Sequence, residues 1–415
     1  MKRIFKIFNI VFLFLFCFTY TNAQAEPTAP QINAEGCVLI DASTGQVLYG
    51  KNEEKVFEPA STTKVVTALV ALEKCKLDDQ VTVKEDFTKI DGTAIGLLKG
   101  DVLTVKDLLL GLLLESGNDC ANALADHISG NTTEFAKLMN AKAKELGALH
   151  TNFKNPSGLP DPEHTTTAHD LALFLREAIN NKDYTEISKT PFYTITLKNS
   201  PSKTIIINNK NYMINKNSKY YYPFAICGKN GYTTKSNHTY VASAEKDGHV
   251  LVAAFLNALD KDQNFHDMQT VFNFGFNNYS SVHLYKKDTQ VSEFKINNEL
   301  TIPLELNKDV DYVVPVGSEN SISSELKVED KDLSKKSFDK DETILKGTIY
   351  VNGKEYLTVD LAAGAARHYE SPLSAVKALS QTPNFPIYAG AASVALLAGG
   401  FGLRRFIKNK FKKEV

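Results

Sequence analysis

Three short polar runs carry the side chains whose types and spacing suit acyl-transfer chemistry: Ser61-Thr62-Thr63-Lys64, Ser116-Gly117-Asn118 and Lys229-Asn230-Gly231. A serine hydroxyl becomes a strong nucleophile only beside a base. On a helix, positions i and i+3 share a face one turn apart, so the Lys64 amine can reach the Ser61 hydroxyl. A serine at the helix N-terminus also has the helix dipole favouring anionic character on its oxygen. Lysine serves as a base only where desolvation or a second cation lowers its pKa. Val65-Val66 supplies an apolar flank, and Lys229 is a candidate for the second cation. Lys229 also suits a ligand carboxylate, and Gly231 would let a ligand backbone approach closely. Taken singly, each run has an ordinary explanation: a capping serine with a surface lysine, a helix stop, an Asn-Gly turn. All three in this order argue for one site.

Positioning these runs requires particular elements. Val38-Leu39-Ile40-Asp41 and Gln46-Val47-Leu48-Tyr49 read as a β-hairpin with Gly45 in its turn. Pro59-Ala60-Ser61 opens a helix whose apolar positions Val65, Val66, Leu69, Val70 and Leu72 recur at helical spacing. Thr104 to Leu114 predicts a second, mostly buried helix, and Ser116-Gly117-Asn118 follows its end. Further helices are predicted over Asn118 to Ser129, Thr132 to Leu146 and Thr167 to Asn180. The pattern then turns strand-like at Tyr193 to Leu197, Thr204 to Ile207, Tyr240 to Ala244 and Val250 to Leu256. A sheet built from these must bring the first hairpin beside the late strands, which predicts an α+β domain with helices on an antiparallel sheet. Beyond about Ser280, short alternating runs split by turn residues such as Asn352-Gly353 predict a small all-β domain.

The two ends speak to location. Lys2, Arg3 and Lys6 precede an apolar run from Ile7 to Tyr20, and Ala23-Gln24-Ala25 forms a cleavage site, so residues 1–25 read as a secretory signal peptide. Phe385 to Leu403 carries no charge and spans roughly 28 Å as a helix, about one hydrocarbon core. The basic tail from Arg404 belongs on the cytoplasmic side. The expected order is a signal peptide (1–25), the α+β domain (26–280), an all-β domain (281–367), a linker (368–384), a transmembrane helix (385–403) and a basic tail (404–415).

A formal net charge of −1 across 415 residues gives no reason to expect nucleic acid. Charge is uneven, however. Ser188 to Ala244 holds Lys189, Lys198, Lys203, Lys210, Lys216, Lys219, Lys229 and Lys235 with no acid, which would suit an anionic ligand such as a peptide carboxylate. Cys37, Cys75, Cys120 and Cys227 are widely spaced, make no metal pattern and read as buried free thiols.

With these residues in place the chain resembles the low-molecular-weight penicillin-binding proteins, the D-alanyl-D-alanine carboxypeptidases related to active-site-serine β-lactamases. The likeness runs through Leu39 to Gly45, Pro59 to Lys64, Leu114 to Asp119, Asn155-Pro156-Ser157-Gly158-Leu159-Pro160 and Gly231-Tyr232-Thr233, in family order. It implies a β-lactamase/transpeptidase-like domain. It also implies cleavage of the terminal D-alanine from peptidoglycan stem peptides, with β-lactam antibiotics as acylating inhibitors. By the same resemblance Ser61 is the nucleophile and Lys64 its base. Ser116 relays a proton to the leaving amine, Asn118 holds the substrate amide, and Lys229 receives the substrate carboxylate. The backbone N–H groups of Ser61 and of Tyr232 or Thr233 would form the oxyanion hole. No metal or organic cofactor is implied.

The chain departs from the family's Lys-Thr-Gly at Asn230, which replaces a β-branched hydroxyl donor with an amide. No arginine follows in Leu256 to Asp260, so carboxylate recognition would lean on Lys229 and the Lys-rich segment. Asn230 therefore sets a weakened or silent penicillin-binding protein against an active carboxypeptidase. A β-lactamase and an endopeptidase cutting cross-links are the remaining alternatives.

Overall fold

The computed structural model describes residues 28–370. The predicted signal peptide and transmembrane segment lie outside them, and among the described residues no helix is long and apolar enough to cross a membrane. Two compact units divide the chain. The first runs to Ser281 and takes back Val313–Gly317, while the second holds Val282–Tyr312 and continues from Ser318.

The hairpin β1 (Gly36–Asp41) and β2 (Val47–Lys51) pairs through β1 with a late strand. The late strands are β7 (Ala225–Thr233), β8 (Asn237–Lys246) and β9 (His249–Ala258), and all five form one antiparallel sheet in the order β2-β1-β9-β8-β7. The union of early and late strands is as expected. Alternation along the strands sorts side chains between two cores. Val38, Ile40, Val241, Val252 and Ala254 face a helical block, whereas Leu39, Tyr240, Ala242, Leu251 and Phe255 face the opposite core with Phe265, Met268 and Phe272.

The helical block comprises α1 (Lys64–Lys74), α2 (Val105–Leu110), α3 (Asn118–Ser129), α4 (Thr132–Glu145), α5 (Ala168–Ala178) and α6 (Lys182–Lys189). Polar caps start several of these helices: Thr104 forms a capping box with Asp107, and Asn131, Thr167 and Asn181 each accept from the backbone N–H three residues on. The opposite core is covered by α7 (Lys261–Asn278), with Asp260 as its cap.

Four differences from the sequence expectation bear on the site. The helix predicted to Leu114 ends at Leu110 and continues as a π-helical turn, Gly111–Glu115, which leaves Ser116 left-handed at φ 71°. Phe192–Thr196 (β5) and Thr204–Asn208 (β6) form their own two-stranded sheet rather than joining the main one. Lys229-Asn230-Gly231 lies within β7, not in a turn; a stretch with two glycines, a lysine and an asparagine has little strand propensity. Helix α7 is new as well, although Asp260 followed by Phe265, Met268, Val271, Phe272 and Gly275 at helical spacing was a readable signal.

In the second unit, Gln290–Lys295, Thr301–Leu306, Lys354–Ala363, Thr343–Val351 and Ser324–Val328 form a five-stranded antiparallel sheet in that order. Its own core centres on Leu304, Leu345, Ile349 and Leu361. This all-β unit matches the expectation. The four described cysteines are free, Cys75 half-buried and the others buried.

Candidate active site

Ser61 lies in a 3₁₀ turn, Ala60–Thr63, that runs directly into α1 at Lys64. A 3₁₀ turn eclipses positions i and i+3 more closely than an α-helix does. Lys64 Nζ accordingly lies 3.0 Å from Ser61 Oγ. Thr62 Oγ1 donates to Pro59 O at 2.6 Å, and Thr239 Oγ1 on β8 donates to the same carbonyl at 2.9 Å, tying the turn to the sheet.

Lys64 is fully buried, and its other two polar neighbours are carbonyl oxygens: Asn118 Oδ1 at 2.7 Å and Ser157 O at 2.6 Å. Asn118 Nδ2 donates to Asp91 O at 2.6 Å, which fixes the orientation of that amide. Burial above all, then the nearby Lys229, holds the Lys64 amine well below its ordinary pKa. Asp119 pulls the other way. Its carboxylate, however, accepts from the backbone N–H groups of Ile95, Gly96, Leu97 and Cys120, which draw on its charge. A neutral amine has two N–H bonds and one lone pair. The two carbonyls can only accept, so they take the N–H bonds, and the lone pair is left for the Ser61 hydroxyl.

The loop Asn155–Pro160 presents the Ser157 carbonyl. Asn155 Oδ1 accepts from Ser157 N, Gly158 N and Leu159 N, turning Ser157 O towards Lys64 while Pro156 O accepts from Thr67 Oγ1. Gly158, at φ +83°, sits where a Cβ would fall 1.8 Å from Ala60 O. Ala60 is itself left-handed at φ 49°, a strained conformation for a residue with a side chain. His164 Nδ1 accepts from Lys154 N–H, so the neutral ring carries its proton on Nε2 and donates it to Thr63 Oγ1 at 2.9 Å. Burial lowers this histidine to about 4.

Strand β7 is the free edge of the sheet and lies against the nucleophile turn. A Cβ on Gly231 would stand 2.6 Å from Ser61 N and 2.6 Å from Thr239 Oγ1, so only glycine leaves the space over the Ser61 N–H open. Lys229, buried, donates from Nζ to Asn230 O at 2.6 Å, and burial lowers it to about 7. Asn230 and exposed Tyr232 line a cleft of about 450 Å³ together with Ser61, Ser116, Gly231 and Thr239. Thr233 lies apart from that lining. Its N–H and its hydroxyl are engaged with Ser236 Oγ at 3.0 and 2.8 Å, which leaves Tyr232 as the residue beside Ser61 for an oxyanion hole.

The predicted residues therefore converge. Ser61, Ser116, Asn230, Gly231 and Tyr232 face the cleft, with Lys64, Asn118 and Lys229 buried around its floor. The sequence reading had no role for the Ser157 carbonyl, the Asp91–Leu97 loop, Asp119 or His164. It also missed the far wall of the cleft, Lys261, Asn264 and Phe265 on α7. Lys261, directly after Asp260, supplies a cation on this wall. At the other lip, Lys210 pairs with Glu115 at 2.9 Å and holds the π turn that ends at Ser116.

This two-unit α+β architecture, with a serine–lysine pair beneath a sheet edge, is that of the penicillin-binding, transpeptidase-like class. The D-alanyl-D-alanine carboxypeptidase family matches residues 22–260, and the penicillin-binding protein 5 C-terminal domain matches residues 279–369. The chain belongs to the D-alanyl-D-alanine carboxypeptidase family. It is 33% identical to D-alanyl-D-alanine carboxypeptidase DacF of Bacillus subtilis over 305 residues, 72% of this chain and 77% of that one. Among solved structures, penicillin-binding protein 5 of Haemophilus influenzae is 25% identical with a TM-score of 0.68, covering 82% of this chain and 98% of that one. The D-alanyl-D-alanine carboxypeptidase of Mycobacterium tuberculosis is 35% identical with a TM-score of 0.55, covering 60% and 95%.

The His164 contact makes a stability prediction. The unfolded chain takes up a proton near 6.5, whereas the folded ring does so only near 4. Stability therefore falls as pH drops from about 6.5 towards 4, by on the order of 3 kcal/mol. Urea unfolding across that range should show the slope in the wild type and a flatter curve in His164→Gln.

Proposed function

We propose that the protein is a serine D-alanyl-D-alanine carboxypeptidase that removes the terminal D-alanine from peptidoglycan stem pentapeptides through an acyl-enzyme at Ser61. The observation that carries this reading is the buried Lys64 amine 3.0 Å from Ser61 Oγ, with two carbonyls occupying its N–H bonds. Neutral Lys64 takes the Ser61 proton as Oγ attacks the D-Ala–D-Ala carbonyl. Negative charge on the carbonyl oxygen meets the N–H groups of Ser61 and Tyr232 across the gap that Gly231 leaves, an interaction worth a few kcal/mol in such sites. Ser116, at the opposite lip, relays the proton to the departing amine. Lys64 then takes a proton from water for deacylation.

Asn118 acts first on Lys64. Both ends of its amide are occupied, so holding the substrate amide requires Nδ2 to leave Asp91 O. Lys229 serves as the cation that opposes protonation of Lys64 and faces the substrate carboxylate. At about 7 it is only partly charged in the free enzyme, and a bound carboxylate draws it back to the ammonium. The chain is read as exported by residues 1–25 and anchored by residues 385–403, with the catalytic unit outside the membrane.

Fluorescent penicillin should label the purified protein, and mass spectrometry should detect D-alanine released from a pentapeptide. Ser61→Ala should abolish both, whereas a wild type that neither labels nor releases D-alanine refutes the enzyme reading. Asn230 decides how well the carboxylate end works. Asn230→Thr restores a short hydroxyl donor on β7 and should raise kcat/KM on the pentapeptide by several-fold. Unchanged or lower turnover would show that the amide suits a different leaving group.

A further inference from the structure

A second cluster of reactive side chains lies outside the cleft, at the opposite ends of the two helices that present Lys64 and Asn118. Cys75 caps the C-terminus of α1, its N–H donating to Ala71 O at 3.0 Å. Asp79 closes the next turn: its N–H donates to Lys76 O, its Oδ2 accepts from Lys76 N at 2.8 Å, and its carbonyl accepts from Val105 N. His127 stands in the last turn of α3. The Cys75 Sγ, a carboxylate oxygen of Asp79 and a ring nitrogen of His127 all lie within 4.8 Å of one another. Cys75 and Asp79 are half-buried and His127 is exposed, so an ion can enter from solvent.

We infer that Cys75, Asp79 and His127 form a zinc site that clamps α1 to α3, with water in the fourth position. The donor set selects the metal. A thiolate with an imidazole suits zinc, whereas calcium and magnesium take oxygen ligands. Metal–ligand bonds of about 2.0–2.3 Å in a tetrahedron place donors roughly 3.3–3.8 Å apart. Small side-chain rotations close the present separations, and the exposed His127 is free to make them.

The surroundings favour a cation. Both helices end here, and their last carbonyls carry partial negative charge; α1 has 11 residues and α3 has 12. On binding, the S–H bond breaks, the Zn–S bond forms and the proton passes to solvent. The other mixed cluster, Glu54, His150 and Asp170, has no thiolate, and its imidazole is already paired with Glu54.

The site is roughly 16 Å from Lys64 along α1, too far to join the reaction. It acts on the helix pair. Lys64 and Asn118 meet at the N-terminal ends, and the metal joins the C-terminal ends.

Cobalt(II) titration of the full-length, chelator-stripped protein tests this. The expected result is a thiolate-to-cobalt charge-transfer band in the near ultraviolet, saturating at one equivalent and displaced by zinc. Cys75→Ser removes the band. His127→Ala, at an exposed position that folding tolerates, weakens zinc binding by more than the roughly tenfold that even an outer-shell partner costs. Zinc raises the wild-type Tm and raises that of each variant less at the same concentration, and both variants still take up fluorescent penicillin. A band that survives Cys75→Ser, or a wild type with neither a band nor a zinc-dependent Tm shift, overturns the assignment.

Discussion

A lysine buried away from bulk solvent is the constraint on which the active unit depends. Removing an ammonium from solvent is costly unless it is paired or loses its proton. Among the described residues Lys64 has no ion-pair partner; it meets two carbonyl acceptors and a hydroxyl. That arrangement is well suited to a neutral amine and poorly suited to a salt bridge. Each acceptor is then fixed in turn: Asn118 by the Asp91 carbonyl, and Ser157 by the turn that Asn155 closes. The chemistry at Ser61 follows from how this one side chain is satisfied.

The rest of the fold can be understood as the means of bringing three distant segments to that amine. Helix α1 carries Lys64 one turn below Ser61, and α3 begins at Asn118 because the π turn before it leaves Ser116 left-handed. The third segment is strand β7, whose Gly231 lets the sheet edge lie against the Ser61 N–H. Two strained residues mark the junctions, Ala60 and Ser116, and both sit where a strand or helix had to be diverted towards the cleft. Such strain persists only because the surrounding contacts over-determine it.

Much of this was legible in the sequence, for identifiable reasons. Ser61 and Lys64 could be paired because i,i+3 spacing survives whether the turn is α or 3₁₀. The joining of the first hairpin to the late strands followed from their patterning. Strand β7 escaped because its glycines and Lys-Asn pair have low strand propensity; its place is set by pairing with β8 and by Gly231 fitting over the nucleophile turn. Ser157 escaped for a different reason: its contribution is a backbone carbonyl, which no side-chain pattern reveals. Asp119 stood only as the last residue of the family-like run from Leu114, and its spacing gave no hint that it gathers the N–H groups of Ile95 to Leu97. The wall formed by Lys261 and Asn264 depends on α7, whose periodic signal was present but lay beyond the motifs.

What separates this site from a plain hydrogen-bonded lysine is the charge on Lys64, and that can be observed directly. Lysine-selective ¹⁵N labelling with detection of the side-chain amine resonance, compared with a Lys64→Met variant for assignment, follows the protonation of this one group. The account predicts an amine that titrates well below the ordinary lysine range, and whose pKa rises when Lys229 is replaced by Met. An ammonium that persists to pH 10 would contradict it.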